Sequence, residues 1–426
     1  MKVVDVTRII VDVPFTERQA RITEREVYNW SIIELCKATT DTGLVGWGET
    51  VVHYTWARVT DEAVQKVLGK SPADVMNDDS LGAGLQMAMF DIVGKALGVP
   101  CYRLLGNKVR DWSPISWWSI DASPGDWLAE AVDAVALGYT SFKIKQRPWW
   151  DIFAQLDAIT TGIPSSFQLD LDANATMQNS AAAMPIMQKL SEYQNVAMFE
   201  TPIPQTDILG NRQLRQVIPR PIAMHFGSPP FITSLREEIC DGFVICAGKS
   251  EVIRQAQLSA EMNSPFWLQL VGNGLTTTWA AHLGAVLSHA TWPAITCTNL
   301  YSHNLLTKPI EIVGGFHRVP EAPGLGVTVD EDAVERWKVP DETIQKLKKK
   351  NKLFDKPTPR IICSVVYPNS ARLHISPLSK AYGYFIQGNG PAHEDGVYLE
   401  IVHDDGSQEW ADLYERTLKN PVRTRI

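Results

Sequence analysis

Closely paired cysteines are missing from this 426-residue chain. Its six, Cys36, Cys101, Cys240, Cys246, Cys297 and Cys363, include no CxxC. That excludes the usual zinc-ribbon spacings and a disulfide frame, and points to buried free thiols in a reducing compartment. A basic excess is missing too: 40 Lys and Arg stand against 48 Asp and Glu, a formal net charge of -8. A chain of that sign is expected neither on nucleic acid nor on an anionic membrane. No apolar run approaches the ~20 residues needed to span a bilayer. Met1-Lys-Val-Val-Asp-Val runs straight into a strand pattern with no signal-peptide signature, so the expected location is cytoplasmic. No GxGxxG follows the first strand, which leaves a dinucleotide fold without support. What remains is an ordinary globular composition, 45% hydrophobic and 21% charged, long enough for two or three domains.

Residues 3–14 and 28–40 read as strands, and Thr42-Gly-Leu-Val-Gly-Trp-Gly-Glu49 turns into a third. Between the first two, residues 17–26 are polar and read as a loop. Helical periodicity then takes over, notably over 81–97, so residues 1–111 read as an α+β module. From Trp112 short strands alternate with helices. Strands are expected near 114–119, 140–145, 167–173, 196–200, 221–225, 242–246, 265–270 and 294–299. Alternation at a spacing of roughly 25 residues marks a parallel sheet, and about eight such units suggest a closed barrel over 112–312. A doubly wound open sheet is the second choice. Residues 313–350 form a return segment, a Gly- and Pro-rich loop followed by one charged helix over 331–350. Residues 351–426 read as a separate β-rich extension, with strands over 361–367, 381–387, 397–402 and 409–414.

The stretch Phe167-Gln-Leu-Asp-Leu-Asp-Ala-Asn174 alternates strictly, with Gln168, Asp170, Asp172 and Asn174 on one face. Acidic residues are poor strand formers, so two on one face need a reason. A solvated edge strand is one; a barrel strand ending in a cation site is another. In a parallel barrel the chemistry sits at the carboxyl ends of the strands. The preceding strand ends in Lys143-Ile-Lys145 and the following one in Glu200-Thr-Pro202. Each lysine alone fits a surface strand with snorkelling side chains. Together with the carboxylates they suit one chemistry, in which a carboxylate-held divalent cation stabilises an enediolate while a lysine removes the proton next to a carboxylate. A second ammonium two residues away disfavours charge on its neighbour and makes a base available near neutral pH.

The ordered set of motifs resembles the enolase superfamily, specifically a divergent member of its mandelate racemase and muconate lactonizing group. Gly46-Trp-Gly-Glu49, Met89-Phe-Asp-Ile-Val-Gly-Lys-Ala-Leu-Gly-Val-Pro100, Leu104-Leu-Gly106 and Phe142-Lys-Ile-Lys145 carry the resemblance. So do Asp172-Ala-Asn174, Phe199-Glu-Thr-Pro202, Pro221-Ile-Ala223 and Ala322-Pro-Gly-Leu-Gly326. The resemblance implies an α/β fold, a modified (β/α)7β TIM-type barrel (112–312) under an N-terminal α+β capping domain (1–111). Residues 313–350 would return to pack on the capping domain; the resemblance spans most of residues 1–340, and the small C-terminal β-rich appendix of 351–426 is read from its strand pattern alone. The resemblance also implies Mg2+ held by Asp172 and Glu200, Lys145 as proton abstractor with Lys143 beside it, a small carboxylate substrate, and a symmetric homo-oligomer. Capping loops near 16–27 and His53–Thr55 would shape specificity.

Three positions depart from that pattern. Relatives carry a third metal ligand at the end of strand five, where this chain reads Pro221-Ile-Ala-Met-His225. His225 either completes an Asp/Glu/His site, which suits Mn2+, Fe2+ or Zn2+ better than Mg2+, or only hydrogen-bonds in the barrel mouth. After strand six, Lys249 is the candidate for a base on the opposite face. At the end of strand seven stands Gln269, where relatives with a His–Asp dyad carry His, and His303 follows the last strand. Asn174 and His53 complete the candidates for substrate contact. With no second base in the usual places, a one-base reaction is favoured, dehydration of an acid sugar or related hydroxy acid. The alternatives are a racemase, epimerase or cycloisomerase using Lys145 with Lys249, and a non-catalytic homologue that binds an acidic ligand in a degraded site.

Overall fold

The computed structural model describes residues 1–54, 58–348 and 356–425, which fall into two compact units. One comprises Met1–Thr16, Asn29–Trp118 and Phe243–Lys356; the other comprises Glu17–Tyr28, Ser119–Gly242 and Pro357–Ile426. Among the described residues no helix is long and apolar enough to cross a membrane.

In the first unit, strands Val3–Asp12, Ile32–Thr40 and Val45–Val51 form an antiparallel meander. The helix Ala83–Leu97, buried from Gly84 to Gly94, packs on it. The glycines of Gly46-Trp-Gly48 make that packing possible. A Cβ at Gly48 would stand 2.0 Å from the Gly84 carbonyl oxygen, and one at Gly46 would stand 2.2 Å from that of Ala88. Glu49, fully buried, turns its carboxylate to the start of the helix Gly274–Val286. There it accepts from the Asn273 and Thr276 amides at 2.6 and 2.7 Å, which satisfies amides that have no partner within a helix. The strand ending at Ile245 pairs in parallel with Phe266–Leu268. The strand expected over 294–299 is reduced to bridges at Ala294 and Ile295 and a 3-10 turn, Thr298–Leu300. The charged helix expected over 331–350 is two, Glu331–Trp337 and Asp341–Lys348. They are interrupted at Pro340, which cannot continue a helix; residues 349 and 350 lie outside the described residues.

The second unit contains four adjacent parallel strands, Ser141–Lys145, Gln168–Asp172, Val196–Glu200 and Ile222–His225. Their register aligns Lys145 with Asp172, Asp172 with Glu200, and Glu200 with Ala223. The helix before the first strand and the three between the strands each begin at a capping side chain. Ser123, Asp151, Asn179 and Asp207 accept from the amides of Asp126, Ala154, Ala182 and Gly210, which fixes where each strand-following loop ends. Residues 17–26, expected as a loop, contain a helix, Glu17–Thr23. Arg18 ties it to Glu130 and Asp133, and Arg21 ties it to Asp126.

The extension adds a four-stranded antiparallel sheet, in the order Tyr398–His403, Ile361–Val366, Ala371–Ile375, Val422–Arg425. Two of its expected strands are helices, Ser379–Ile386 and Gln408–Lys419. Their aromatic residues favour strands locally, but Ala381 and Phe385, and Trp410, Tyr414 and Thr417, are buried at helical spacing. Ser407 caps the second helix through the Trp410 amide. Trp149 and Trp150, from the loop after the Ser141–Lys145 strand, share one core cluster with Val365, Leu373, Ile375 and Phe385 of the extension.

Candidate active site

The ends of the four parallel strands bring Lys143, Lys145, Asp172, Asn174, Glu200 and His225 into one charged cluster within the second unit. Lys145 Nζ donates to Asp172 Oδ2 and, at 3.2 Å, to Asn174 Oδ1. Lys143, 1% exposed, pairs with Glu200 and lies 3.5 Å from Asp172 Oδ2. Asp172 Oδ1 accepts the Asn174 amide at 2.9 Å. His225 Nε2 stands 3.1 Å from Glu200 Oε1, and its amide donates to Gln205 Oε1 at 2.8 Å. Gln205, which carries no sequence signal, also accepts from the Thr201 hydroxyl.

The electrostatics follow from burial against paired charge. Burial works to raise the Asp172 carboxyl, yet Lys145, then Lys143 and Arg147, hold it well below the usual carboxylate range. Asp170, one layer deeper, has no comparable escort. Burial pushes it up to about 7, with Lys143 opposing and Glu200 adding to the rise. The backbone is strained at the same strand ends. Asn174, Ala175 and Thr201 have φ of 45°, 67° and 45°, a region costly for β-branched residues. They are held there by hydrogen bonds from the Ala175 amide to the Thr201 carbonyl and from the Thr201 amide to the Ala223 carbonyl.

Both oxygens of Glu200 are buried and accept no aligned hydrogen bond, although Lys143 and His225 lie against them. Two adjacent carboxylates with an imidazole beside one of them are donors that fit a divalent cation. The fit is in donor chemistry rather than in a finished cage. Among the described residues no three His, Cys, Asp or Glu side chains are gathered closely enough to hold a metal, and the two ammonium groups pair with the carboxylates.

The remaining sequence candidates belong to the first unit. Lys249 Nζ bonds Asn77 Oδ1 and lies 5.5 Å from the centre of the Phe90 ring, and partial burial lowers its ammonium. Gln269 donates to the Tyr54 hydroxyl at 3.0 Å. His303 Nδ1 accepts the Leu305 amide, and its ring packs against Trp337. His53 lies half-buried just after the Val45–Val51 strand, and Thr55 of the same expected loop is outside the described residues.

Sequence reasoning missed a second, buried network beside the lysines. Arg147 donates to the Asp172 carbonyl at 3.1 Å, to Asn174 Oδ1 at 2.8 Å and to the Tyr382 hydroxyl at 2.8 Å. Asp121 accepts Arg25 at 2.7 Å and the indoles of Trp149 and Trp150 at 2.8 Å each. The one local signal was Arg147-Pro-Trp-Trp150 directly after the lysine pair.

Residues 126–333 match the family described as enolase C-terminal domain-like. The N-succinyl-L-Arg/Lys racemase of Bacillus cereus is 25% identical over 340 residues, 72% of this chain and 90% of that protein. The D-galactonate dehydratase of Xanthomonas campestris pv. campestris is 39% identical over 128 residues, 25% of this chain and 33% of that one. Among solved structures, muconate lactonizing enzyme from Pseudomonas putida superposes with a TM-score of 0.65 at 20% identity, covering 80% of this chain and 100% of that chain. The fold is therefore the capped (β/α) barrel expected from the sequence.

Proposed function

We propose, for a chain that belongs to the enolase superfamily and to its mandelate racemase and muconate lactonizing group, that Lys145 abstracts the proton α to a substrate carboxylate. The family makes the chain a lyase or isomerase acting by proton abstraction. The finer reading is dehydration of an acid sugar or related hydroxy acid. The observation that carries the proton abstraction is the pairing of Lys145 with Asp172 beside Lys143 with Glu200, at the ends of three successive parallel strands. Buried lysines and carboxylates are costly to keep unless they serve a site.

Enzymes of this superfamily generally use a divalent metal, typically Mg2+. In this chain Asp172 and Glu200 would hold it, with His225 as third ligand, and when bound it supplies positive charge opposite the substrate carboxylate. The chain's own residues do the rest. Lys145, 15% exposed at its side chain, is the one of the two lysines that substrate reaches. Lys143, sealed at 1%, keeps Glu200 neutralised. Asn174 Oδ1 holds the Lys145 ammonium at the mouth and returns it there after proton transfer. Lys249 is engaged with Asn77 and Phe90, which favours a one-base reaction over racemisation.

Solvent-deuterium exchange into a panel of acid sugars and hydroxy acids, with added Mg2+ or Mn2+, tests the reading. At least one substrate should exchange its α-proton, and Lys145→Ala should lower that rate by about 10³-fold or more, the scale of losing a positioned general base. No exchange with any member, and a Lys145→Ala protein indistinguishable from the parent, would leave a barrel that binds acids without turning them over.

A further inference from the structure

The family match ends at residue 333, yet a side chain 49 residues beyond it takes part in the candidate site. Tyr382 lies on the extension helix Ser379–Ile386. Its hydroxyl accepts from Arg147 Nε at 2.8 Å and donates to Glu26 Oε1 at 2.8 Å. Its ring packs edge-on against Trp149, and the Arg147 guanidinium lies 4.8 Å from the ring centre. Arg147 is 2% exposed and has its other donors committed to the strand ends. It donates to the Gln146 carbonyl at 2.9 Å and the Asp172 carbonyl at 3.1 Å, and to Asn174 Oδ1 at 2.8 Å.

Those three acceptors matter because of what they hold in turn. Asn174 Oδ1 is shared between Arg147 and Lys145, so the arginine fixes which way the amide faces. Turned over, its NH2 would oppose two cations. The Asn174 backbone amide donates to Asp172 Oδ1, so the arginine, by holding the Asp172 carbonyl and the Asn174 side chain, holds the segment that orients the carboxylate. An arginine fork does this only if its own plane is fixed, and the Tyr382 hydroxyl, itself oriented by Glu26, holds its third edge. We propose that Tyr382 is a positioning residue for the candidate cation site, acting through Arg147 on Asp172 and Asn174. The C-terminal extension is thereby a working wall of the site. This rests on the reading of Asp172 as a cation ligand. Outer-shell partners of this kind typically change metal affinity by about 10–100-fold when removed.

The test uses the full chain and Mn2+, with free ion measured by electron paramagnetic resonance. Tyr382→Phe keeps the ring against Trp149 and Arg147 and removes only the hydroxyl. It should weaken Mn2+ binding about tenfold or more while leaving circular dichroism unchanged. Tyr384→Phe, on the same helix but bonded to Arg423, should bind as the parent does. If Tyr382 acts through Arg147, the double variant Tyr382→Phe/Arg147→Lys should bind no more weakly than Arg147→Lys alone. Parent-like Mn2+ affinity in Tyr382→Phe overturns the proposal. A parent that binds no Mn2+ overturns the cation reading itself. The positioning role is then decided by amide hydrogen exchange at Asn174 and Ala175, which should speed up about tenfold in Tyr382→Phe if the role holds and stay unchanged if it does not.

Discussion

Asp121→Asn tests the buried network behind the lysines. The carboxylate is fully buried and faces two cations: Arg25 at 2.7 Å, with 2% of its side chain exposed, and Arg147 at 3.9 Å. It also accepts both tryptophan indoles. Asparagine keeps the shape and one acceptor oxygen but removes the charge, leaving Arg25 against Glu26, and Arg147 against Glu26 and Asp172. Stranding a buried charge costs ~3–5 kcal/mol. Arg147 keeps Tyr382 and Asn174 as acceptors, so the loss should fall near the lower end, about 3 kcal/mol, or roughly two decades in the folding equilibrium. Urea denaturation followed by tryptophan fluorescence reads it directly, since Trp149 and Trp150 report on the same carboxylate. The pH dependence sharpens the test. Burial opposes ionisation of Asp121, and Arg25 first, then Arg147, outweigh it and hold the carboxyl below its ordinary value. A carboxyl depressed in the folded state contributes stability that is present above the unfolded value, about 3.9, and is lost as pH falls through the folded value. The gap between parent and variant should therefore be full at pH 7 and narrow below about pH 4. A gap under about 1 kcal/mol at pH 7, or one that does not narrow in acid, would refute the reasoning.

Two further outcomes concern other parts of the chain. His225→Ala should cost about tenfold or more in Zn2+ affinity but little in Mg2+ affinity, because imidazole favours the softer ion; equal losses measured by calorimetry would remove His225 from the ligand set. Burial lowers His282 and His317 to about 4. Both bind fewer protons folded than unfolded between that value and about 6.5, so their contribution is complete above 6.5 and is lost as pH falls toward 4. His282→Asn should flatten the drop in stability between pH 7.5 and pH 5, measured by chemical denaturation. An unchanged slope would mean that other groups set it.

The sequence made the strand ends legible because two periodicities coincide there. Lys143 and Lys145, and Asp170 and Asp172, repeat every two residues, which assigns them to one face of a strand without reference to any other part of the chain. The rule that barrel chemistry gathers at the carboxyl ends then places them side by side, and the observed register, Lys145 beside Asp172 beside Glu200, needs nothing else. The extension was misread for the opposite reason. Trp410, Tyr414 and the aromatic run around Tyr382 and Phe385 favour strands by local propensity, while the Ser407 cap and the i, i+4 burial that make them helices depend on what they pack against.

The Glu26–Tyr382–Arg147 chain was the hardest to foresee. Its members are separated by 356 and 235 residues, and each alone fits an ordinary surface or core position. No periodicity links them; only the folded second unit does. That difference bears on how the site can change during divergence. The lysines and carboxylates are specified by neighbouring strands of one sheet and persist as long as the sheet does. The orientation of Asp172 and Asn174 depends on a tyrosine supplied by a segment outside the family match. Substitutions in the extension would therefore retune the candidate cation site and the mouth around Lys145 while leaving every residue of the lysine and carboxylate motifs in place.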